Sequence, residues 1–297
     1  MNWDDTRIFL AIARNGQILA AANRLGLNHA TVARRLNNLE DALGVKLFKR
    51  LPSGSNLSEA GERFFEYAER IEAEMEQAQS HIGSGNLTLE GTVRISAPDG
   101  FAVAFLAKHL GFLSQQHEQL NVQLVPMHRS LSLSKREADI AITVGAPEQG
   151  RVVARRLVDY HLGLFASTHY LDRYGPPLTA QSLANHQLVG YVEDLVVSPA
   201  LDYAQEFWRG WRASFECASA MAQYEAVRAG AGIGILHGFI AADDRNLTPV
   251  LPELGINRSY HLVYHESSRE QRRVRVVADY IIELVDTHRD LFRQYER

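Results

Sequence analysis

The 297-residue sequence predicts an α/β protein carrying a helical N-terminal head on a single long helix. Three features predict it. Glycine-separated helical segments fill the first 45 residues, a heptad-spaced apolar seam runs on to about residue 82, and beyond Gly91 short β-branched runs alternate with helical stretches. At about 100 to 200 residues per domain, the length suits two or three compact units. With 46% hydrophobic and 22% charged residues, 9 Pro and 21 Gly, the chain falls outside the disordered and collagen-like classes.

The head reads as three helices, Asp4 to Asn15, Ile18 to Leu25 and His29 to Leu43, with Gly16 and Gly26 stopping the first two. In the third, Val32, Leu36, Leu39 and Leu43 recur every three or four residues and form one buried stripe. Ala30, Thr31, Arg34, Asn37 and Asn38 therefore face outward, with Asn28 placed to cap the helix beneath them. Small, hydrogen-bonding and cationic side chains on one face suit base edges and phosphates. Two helices joined by a glycine turn make a helix-turn-helix, and Lys46, Lys49 and Arg50 leading into Pro52-Ser53-Gly54-Ser55 add a hairpin-like wing.

Charge supports the division. The net charge of −4 gives no bulk attraction to nucleic acid or to an anionic membrane. Residues 24 to 50 nevertheless hold six cations (Arg24, Arg34, Arg35, Lys46, Lys49, Arg50) against Glu40 and Asp41, whereas residues 59 to 76 hold seven glutamates against Arg63 and Arg70. That second segment is a long helix from the N-cap Ser58 to about Ile82, with Phe64, Ala68, Ile71, Met75, Ala78 and Ile82 as its seam. So narrow a stripe fits pairing with a second chain, and Phe64, Ala68, Ile71 and Met75 are the expected dimerisation residues. Gly83-Ser84-Gly85-Asn86 is the expected joint.

The α/β part has candidate strands at Val93 to Ala97, Val122 to Val125, Ile140 to Val144, Leu162 to Ala166, Leu188 to Tyr191, Ile233 to Leu236 and His261 to Tyr264. Helical segments include Phe101 to Leu113, Met221 to Ala229 and Ser268 to Val285. Ligands of such sheets sit beyond the carboxyl ends of strands, which draws attention to Ser96-Ala97-Pro98-Asp99-Gly100, Thr143-Val144-Gly145 and Tyr191.

Catalytic patterns fail. In Gly230-Ala231-Gly232-Ile233-Gly234-Ile235 the third glycine of a dinucleotide loop would fall on Ile235, and a strand rather than a helix follows. Ser132-Leu133-Ser134-Lys135 lacks the companion motifs of a penicillin-binding site. The single cysteine, Cys217, excludes an internal disulfide and a cysteine zinc site, and its apolar neighbours point to a small buried hydrophobe. No enzyme activity, cofactor or metal is expected. The absence of a signal peptide and of any window of about 18 to 20 apolar residues predicts a soluble, cytoplasmic protein without a membrane partner.

The N-terminal stretch carries Ala20-Ala21-Ala22-Asn23-Arg24-Leu25-Gly26-Leu27, Ala30-Thr31-Val32-Ala33-Arg34-Arg35-Leu36, Leu39-Glu40, Leu43 to Arg50, and Leu57-Ser58-Glu59-Ala60-Gly61. In order and spacing these motifs strongly resemble the LysR-type transcriptional regulators. The likeness continues through Arg136 to Ile142, Tyr170-Leu171 with Gly175-Pro176, and Val227 to Leu236, and so covers essentially the whole chain.

The resemblance implies a winged helix-turn-helix DNA-binding domain (1–58), a dimerising linker helix and hinge (59–90) and a two-lobed, periplasmic-binding-protein-like α/β effector domain (91–297). Lobe one would be 91–162 plus 267–297, lobe two 163–266, with the last helix returning to lobe one and a small-molecule effector between them. The implied partners are double-stranded DNA and further copies of the chain, as a homodimer or homotetramer. Implied DNA contacts fall on Asn28, His29, Ala30, Thr31, Ala33, Arg34 and Arg50, to which Asn37 and Lys49 add from the exposed face and the wing. His29 stands where Gln is common and Ala33 where Ser is common, which removes a DNA hydrogen bond at Ala33.

Implied effector positions are Pro98, Asp99, Gly100, Phe101, Ser132, Thr143, Val144, Tyr191 and Gly234. Many relatives carry a hydroxyl near Asp99 to hold an effector carboxylate. An acid there either repels an anion or caps its own helix. The competing reading of the chain is a small-molecule carrier or enzyme whose helical head serves assembly alone.

Overall fold

The computed structural model describes residues 2–51, 54–82, 89–127, 137–147, 152–195, 201–269 and 271–293. The head contains α1 (Trp3–Asn15), α2 (Ile18–Leu25) and α3 (His29–Leu43). Asn2 caps α1 by accepting from the Asp5 amide at 2.8 Å. Gly26, at φ 64°, closes α2 in the left-handed conformation that a side chain disfavours, so the chain can turn at once into α3. The wing follows as β1 (Phe48–Leu51) paired antiparallel with β2 (Gly54–Leu57). Glu40 holds its root: the buried carboxylate accepts from the Leu47 amide at 2.8 Å and pairs with Lys46 Nζ at 2.7 Å.

The linker helix α4 (Glu59–Ile82) is joined rigidly to the head. Ser58 Oγ accepts from the Gly61 amide at 3.0 Å and donates to the Lys46 carbonyl at 2.6 Å. Gly61 lies so close to the wing root that a Cβ there would sit 2.0 Å from the Leu47 carbonyl oxygen. The Leu57-Ser58-x-x-Gly61 pattern is thus a cap and a close approach in one turn. Phe9, fully buried, carries the other half of the joint, with Phe64 edge-on at 4.9 Å and Phe48 at 5.4 Å. Arg14 adds a two-point bond to Glu72, at 2.6 and 3.2 Å.

In the α/β part, β3 (Gly91–Pro98) pairs in parallel with β4 (Leu120–Met127) and β5 (Ile140–Val144). Between β3 and β4, α5 (Asp99–Phe101) runs through a π turn (Ala102–Leu106) into α6 (Ala107–Gln116). Asp139 pins β5 to β3 by accepting from the Arg94 amide at 2.8 Å. The chain continues through β6 (Val152–Ser167), α7 (Thr168–Tyr174), β7 (Leu188–Gly190), α8 (Ala204–Phe207), β8 (Phe215–Glu216), α9 (Ala220–Arg228) and β9 (Ile233–His237). After α10 (Gly238–Ala241), β10 (Leu247–Pro249) and β11 (Gly255–His265), it ends in α11 (Arg272–Thr287) and α12 (Arg289–Phe292). The strands follow the order β4-β3-β5-β11-β6-β9-β7-β8, with β10 on β6.

Two strands belong to both halves. β6 and β11 pair antiparallel from Gly255 opposite Gly163 to His265 opposite Val152, with a bulge between Tyr260 and His261. The far half of β6 pairs with β9 and β10, while β11 from Tyr260 onward pairs with β5. From Tyr260 onward β11 thus lies beside a strand of lobe one. Both strands also outrun the Leu162 to Ala166 and His261 to Tyr264 runs. Arg155, Arg156, Asn257 and Arg258 interrupt the apolar pattern where these strands meet solvent. α11 packs on β3 and β6 through Val274, Val277, Ala278, Ile281, Leu284 and Val285, which closes lobe one with the chain's last long helix.

Gly61→Ala is expected to destabilise the head by about 1–3 kcal/mol, the usual cost of forcing atoms into a packed site. Chemical denaturation of the full chain, followed by tryptophan and far-UV signals, checks this; unchanged stability would contradict the close approach to Leu47.

Candidate nucleic-acid interface and interlobe site

α3 stands on the head as its sequence pattern requires. Val32, Leu36 and Leu39 are buried, while Asn28, His29, Ala30, Arg34, Asn37 and Asn38 are exposed and Thr31 and Ala33 half-buried. Asn28 Oδ1 accepts from the Ala30 amide at 2.9 Å, which satisfies a free amide of the first turn and fixes where the helix starts. Among the described residues Arg34 has no ion pair or hydrogen bond. Its neighbour Arg35 is bound back to Asp4 at 3.2 Å and Asp5 at 3.6 Å. One arginine holds the helix on the head and the other is presented. Lys49 is exposed on β1, and Arg50 follows it in the strand.

Along α4 the predicted seam divides. Ala68 is buried, and half-buried Phe64 packs with it in the head's own core around Phe9. Ile71 and Met75, further along, are 39% and 38% exposed, and Tyr67 is 60% exposed. The seam residue Ile82 ends the helix, and nothing further is described until Leu89.

The interlobe site forms where α5 of lobe one meets the start of α9 in lobe two. Asp99 is 7% exposed, and its carboxylate does not cap its own helix. Oδ2 accepts from Ser219 Oγ at 2.6 Å and from the Met221 amide at 3.3 Å, and Oδ1 accepts from the Ala220 amide at 3.2 Å. It does not cap its own helix; it caps a helix of the opposite lobe. Beside it, a Cβ on Gly100 would lie 3.4 Å from Ala220 Cβ, His237 Cε1 and Ile240 Cδ1, so the lobes touch closely there.

The floor is aromatic. Tyr160 stacks on Tyr260 at 4.1 Å and on His237 at 5.2 Å, both near-parallel, and Phe239 stands edge-on to Tyr160 at 6.2 Å. Burial lowers the His237 pKa to about 4 despite the Asp99 charge, which leaves the imidazole neutral. Burial also raises Tyr160, Tyr191, Tyr203 and Tyr260, with the Asp99 charge adding to the rise at Tyr191. The Cys217 thiol is pushed up by burial too, which keeps it protonated and unreactive. Tyr160 stacks between Tyr260 and His237, and burial holds these groups in their neutral forms.

Of the expected effector positions, Pro98, Asp99, Gly100 and Tyr191 come together here, while half-buried Thr143 and Val144 end β5. Phe101 is fully buried in lobe one among Phe105, Tyr260 and Phe292. Gly234 faces Val227, whose Cγ2 would lie 2.5 Å from an added Cβ, and so lets α9 lie on β9. Ser132 lies outside the described residues. Ser219, Tyr160, Tyr260 and His237 emerge only in three dimensions. Ser219 alone left a readable sign, a serine N-cap ahead of the Ala220–Arg228 helix.

Among the described residues no group of three or more His, Cys, Asp or Glu is arranged to hold a metal, and no helix is long and apolar enough to cross a membrane. A head that presents a helix, a wing and a long linker, attached to a two-lobed α/β domain, defines a DNA-binding regulator with a ligand-sensing module.

Comparison with known proteins agrees. Residues 3–62 match the bacterial regulatory helix-turn-helix protein, lysR family, and residues 87–286 match the LysR substrate binding domain. The chain belongs to the LysR family of transcriptional regulators, which are DNA-binding, effector-responsive oligomers and not enzymes. It is 27% identical over 289 residues to the regulator CrgA of Neisseria meningitidis, covering 95% of this chain and 96% of that one. An HTH-type transcriptional regulator of Xanthomonas campestris is 35% identical over 184 residues, 62% of this chain and 54% of that one. Among solved structures, CrgA superposes with a TM-score of 0.60 at 24% identity, covering 96% of this chain and 99% of that one. Full-length LysG of Corynebacterium glutamicum, with bound effector arginine, gives 0.64 at 18% identity over 97% and 99% of the two chains.

Because His237 is held neutral from its ordinary value of 6.5 down to about 4, the unfolded chain binds the extra proton across that window. Stability contributed by the neutral ring is complete above pH 6.5 and is lost as pH falls toward 4, by at most about 1.4 kcal/mol per pH unit. Urea titrations of wild type and His237→Gln at several pH values in this range test it: the wild type is expected to lose more stability on acidification than the variant.

Proposed function

We propose that this regulator reads its operator with the exposed face of α3, and that Arg34 is the principal contact. The observation that carries the reading is the pairing of a presented Arg34 with an anchored Arg35 on one helix. Asn28, His29, Ala30, Thr31, Ala33 and Asn37 supply the rest of the surface that enters the major groove, and Lys49 and Arg50 in the wing meet phosphate or the minor groove. Two copies join along α4 beyond the head, through Ile71 and Met75, so that their heads meet neighbouring half-sites. The working units are residues 1–58, 59–90 and 91–297, and the protein acts in the cytoplasm, where its DNA is.

A small-molecule effector is bound between the lobes, bordered by Pro98, Gly100, Thr143, Val144 and Tyr191. Because β6 and β11 connect the lobes, a ligand that changes how they close changes the strain passed to α4 and hence the spacing of the heads.

Duplexes selected from a random pool by the wild-type protein provide the test. Arg34→Ala is expected to weaken binding at least tenfold, with folding and oligomeric state unchanged, and wild-type affinity is expected to fall steeply as salt rises. Unchanged binding by the variant would refute the assignment of α3. Negligible duplex binding even at low salt would favour a head that serves assembly alone.

A further inference from the structure

We propose that Asp99 is a resident carboxylate that occupies, from within the chain, the anion position at the start of α9, clasping the two lobes together and closing that end of the cleft to carboxylate effectors. The inference rests on the reading that the cleft between the lobes is the effector site, and it names both a class that site rejects and the contact that keeps it shut.

The argument is an account of donors. A helix start has unpaired amides and a positive dipole end, and it attracts an anion. At α9 each opening amide is already engaged: Ala220 and Met221 with Asp99, Ala222 with Ser219 Oγ at 3.2 Å, and Gln223 with the Ser219 carbonyl at 3.0 Å. The Ser219 hydroxyl, which must donate elsewhere while it accepts from Ala222, donates to Asp99. An arriving carboxylate finds no donor left at this turn and meets a fixed negative charge instead.

The bonds also join separate lobes. Asp99 opens the helix that follows β3, whereas Ser219, Ala220 and Met221 open the helix that precedes β9. Gly100 draws the same two surfaces together against Ala220, His237 and Ile240. The neutral His237 supplies no compensating cation, so the negative charge is balanced by the helix end and the serine hydroxyl. Charge-assisted bonds of this kind are about twice as strong as neutral ones, which suits a clasp made of one side chain.

Chemical replacement of the missing group tests this on the full-length chain. Asp99→Ala is expected to lower Tm by several degrees, to increase the radius of gyration in small-angle scattering, and to recover both on titration with sodium acetate or formate. Sodium chloride at matched ionic strength restores neither, and the wild type does not respond to acetate. If Asp99→Ala does not fold, Asp99→Asn and Ser219→Ala take its place, each expected to lower Tm although Asn keeps the volume of Asp.

A wild-type Tm in these variants, or a wild-type protein that acetate stabilises as strongly as Asp99→Ala, overturns the clasp. None of these readouts involves DNA. Failure of duplex binding would therefore sink the reading of α3 and leave the clasp standing, and the converse also holds.

Discussion

The antiparallel pairing of β6 with β11 is the constraint on which the rest of the regulatory half depends. These two strands cross from one lobe to the other together, so neither lobe has a sheet of its own that is complete without them. Their backbone bonds set how far the lobes can swing, because any closure must bend a hydrogen-bonded ribbon and not a free loop. The bulge between Tyr260 and His261 sits at the crossing. A bulge interrupts the ladder locally and increases twist, which makes this the place where the ribbon bends most readily. Tyr160 and Tyr260 lie on these two strands and His237, at the end of β9, stacks on Tyr160, so the aromatic floor is built on the crossing.

The head uses a different device to reach similar rigidity. Its core is small, and much of its order comes from polar groups at the ends of elements: Asn2 and Asn28 at helix starts, Ser58 at the start of α4, and Glu40 at the wing root. Each satisfies an amide that a short helix or hairpin would otherwise expose. Phe9 and the Arg14–Glu72 bond then join α1 to α4, so the linker continues directly from the head. The same packing divides the heptad seam: its first residues pack in the head's core around Phe9, and Ile71 and Met75 further along are exposed.

The two halves treat charge in opposite ways. On α3 the Arg34 guanidinium is left exposed to solvent. In the cleft a carboxylate is buried and saturated with donors, which spends its charge internally on holding two surfaces together. The first arrangement leaves a positive charge open to solvent; the second commits a negative charge to a contact within the chain.

The sequence by itself determined the local structure: the spans of α2, α3 and β5, the caps at Asn28 and Ser58, the wing, and the outward set on α3. Those follow from glycine stops, short polar caps and a stripe of apolar residues three or four apart, all signals carried within a few positions. It also determined the family, through motifs in which such local requirements are concentrated. The tertiary structure decided the full length of β6 and β11, whose solvent-facing arginines mask alternation, and it decided the partition of the α4 seam between the head and its outer surface. It alone decided the work of Asp99, since its donors lie some 120 residues away, and no pattern within a helix turn records a bond that folding makes between two lobes.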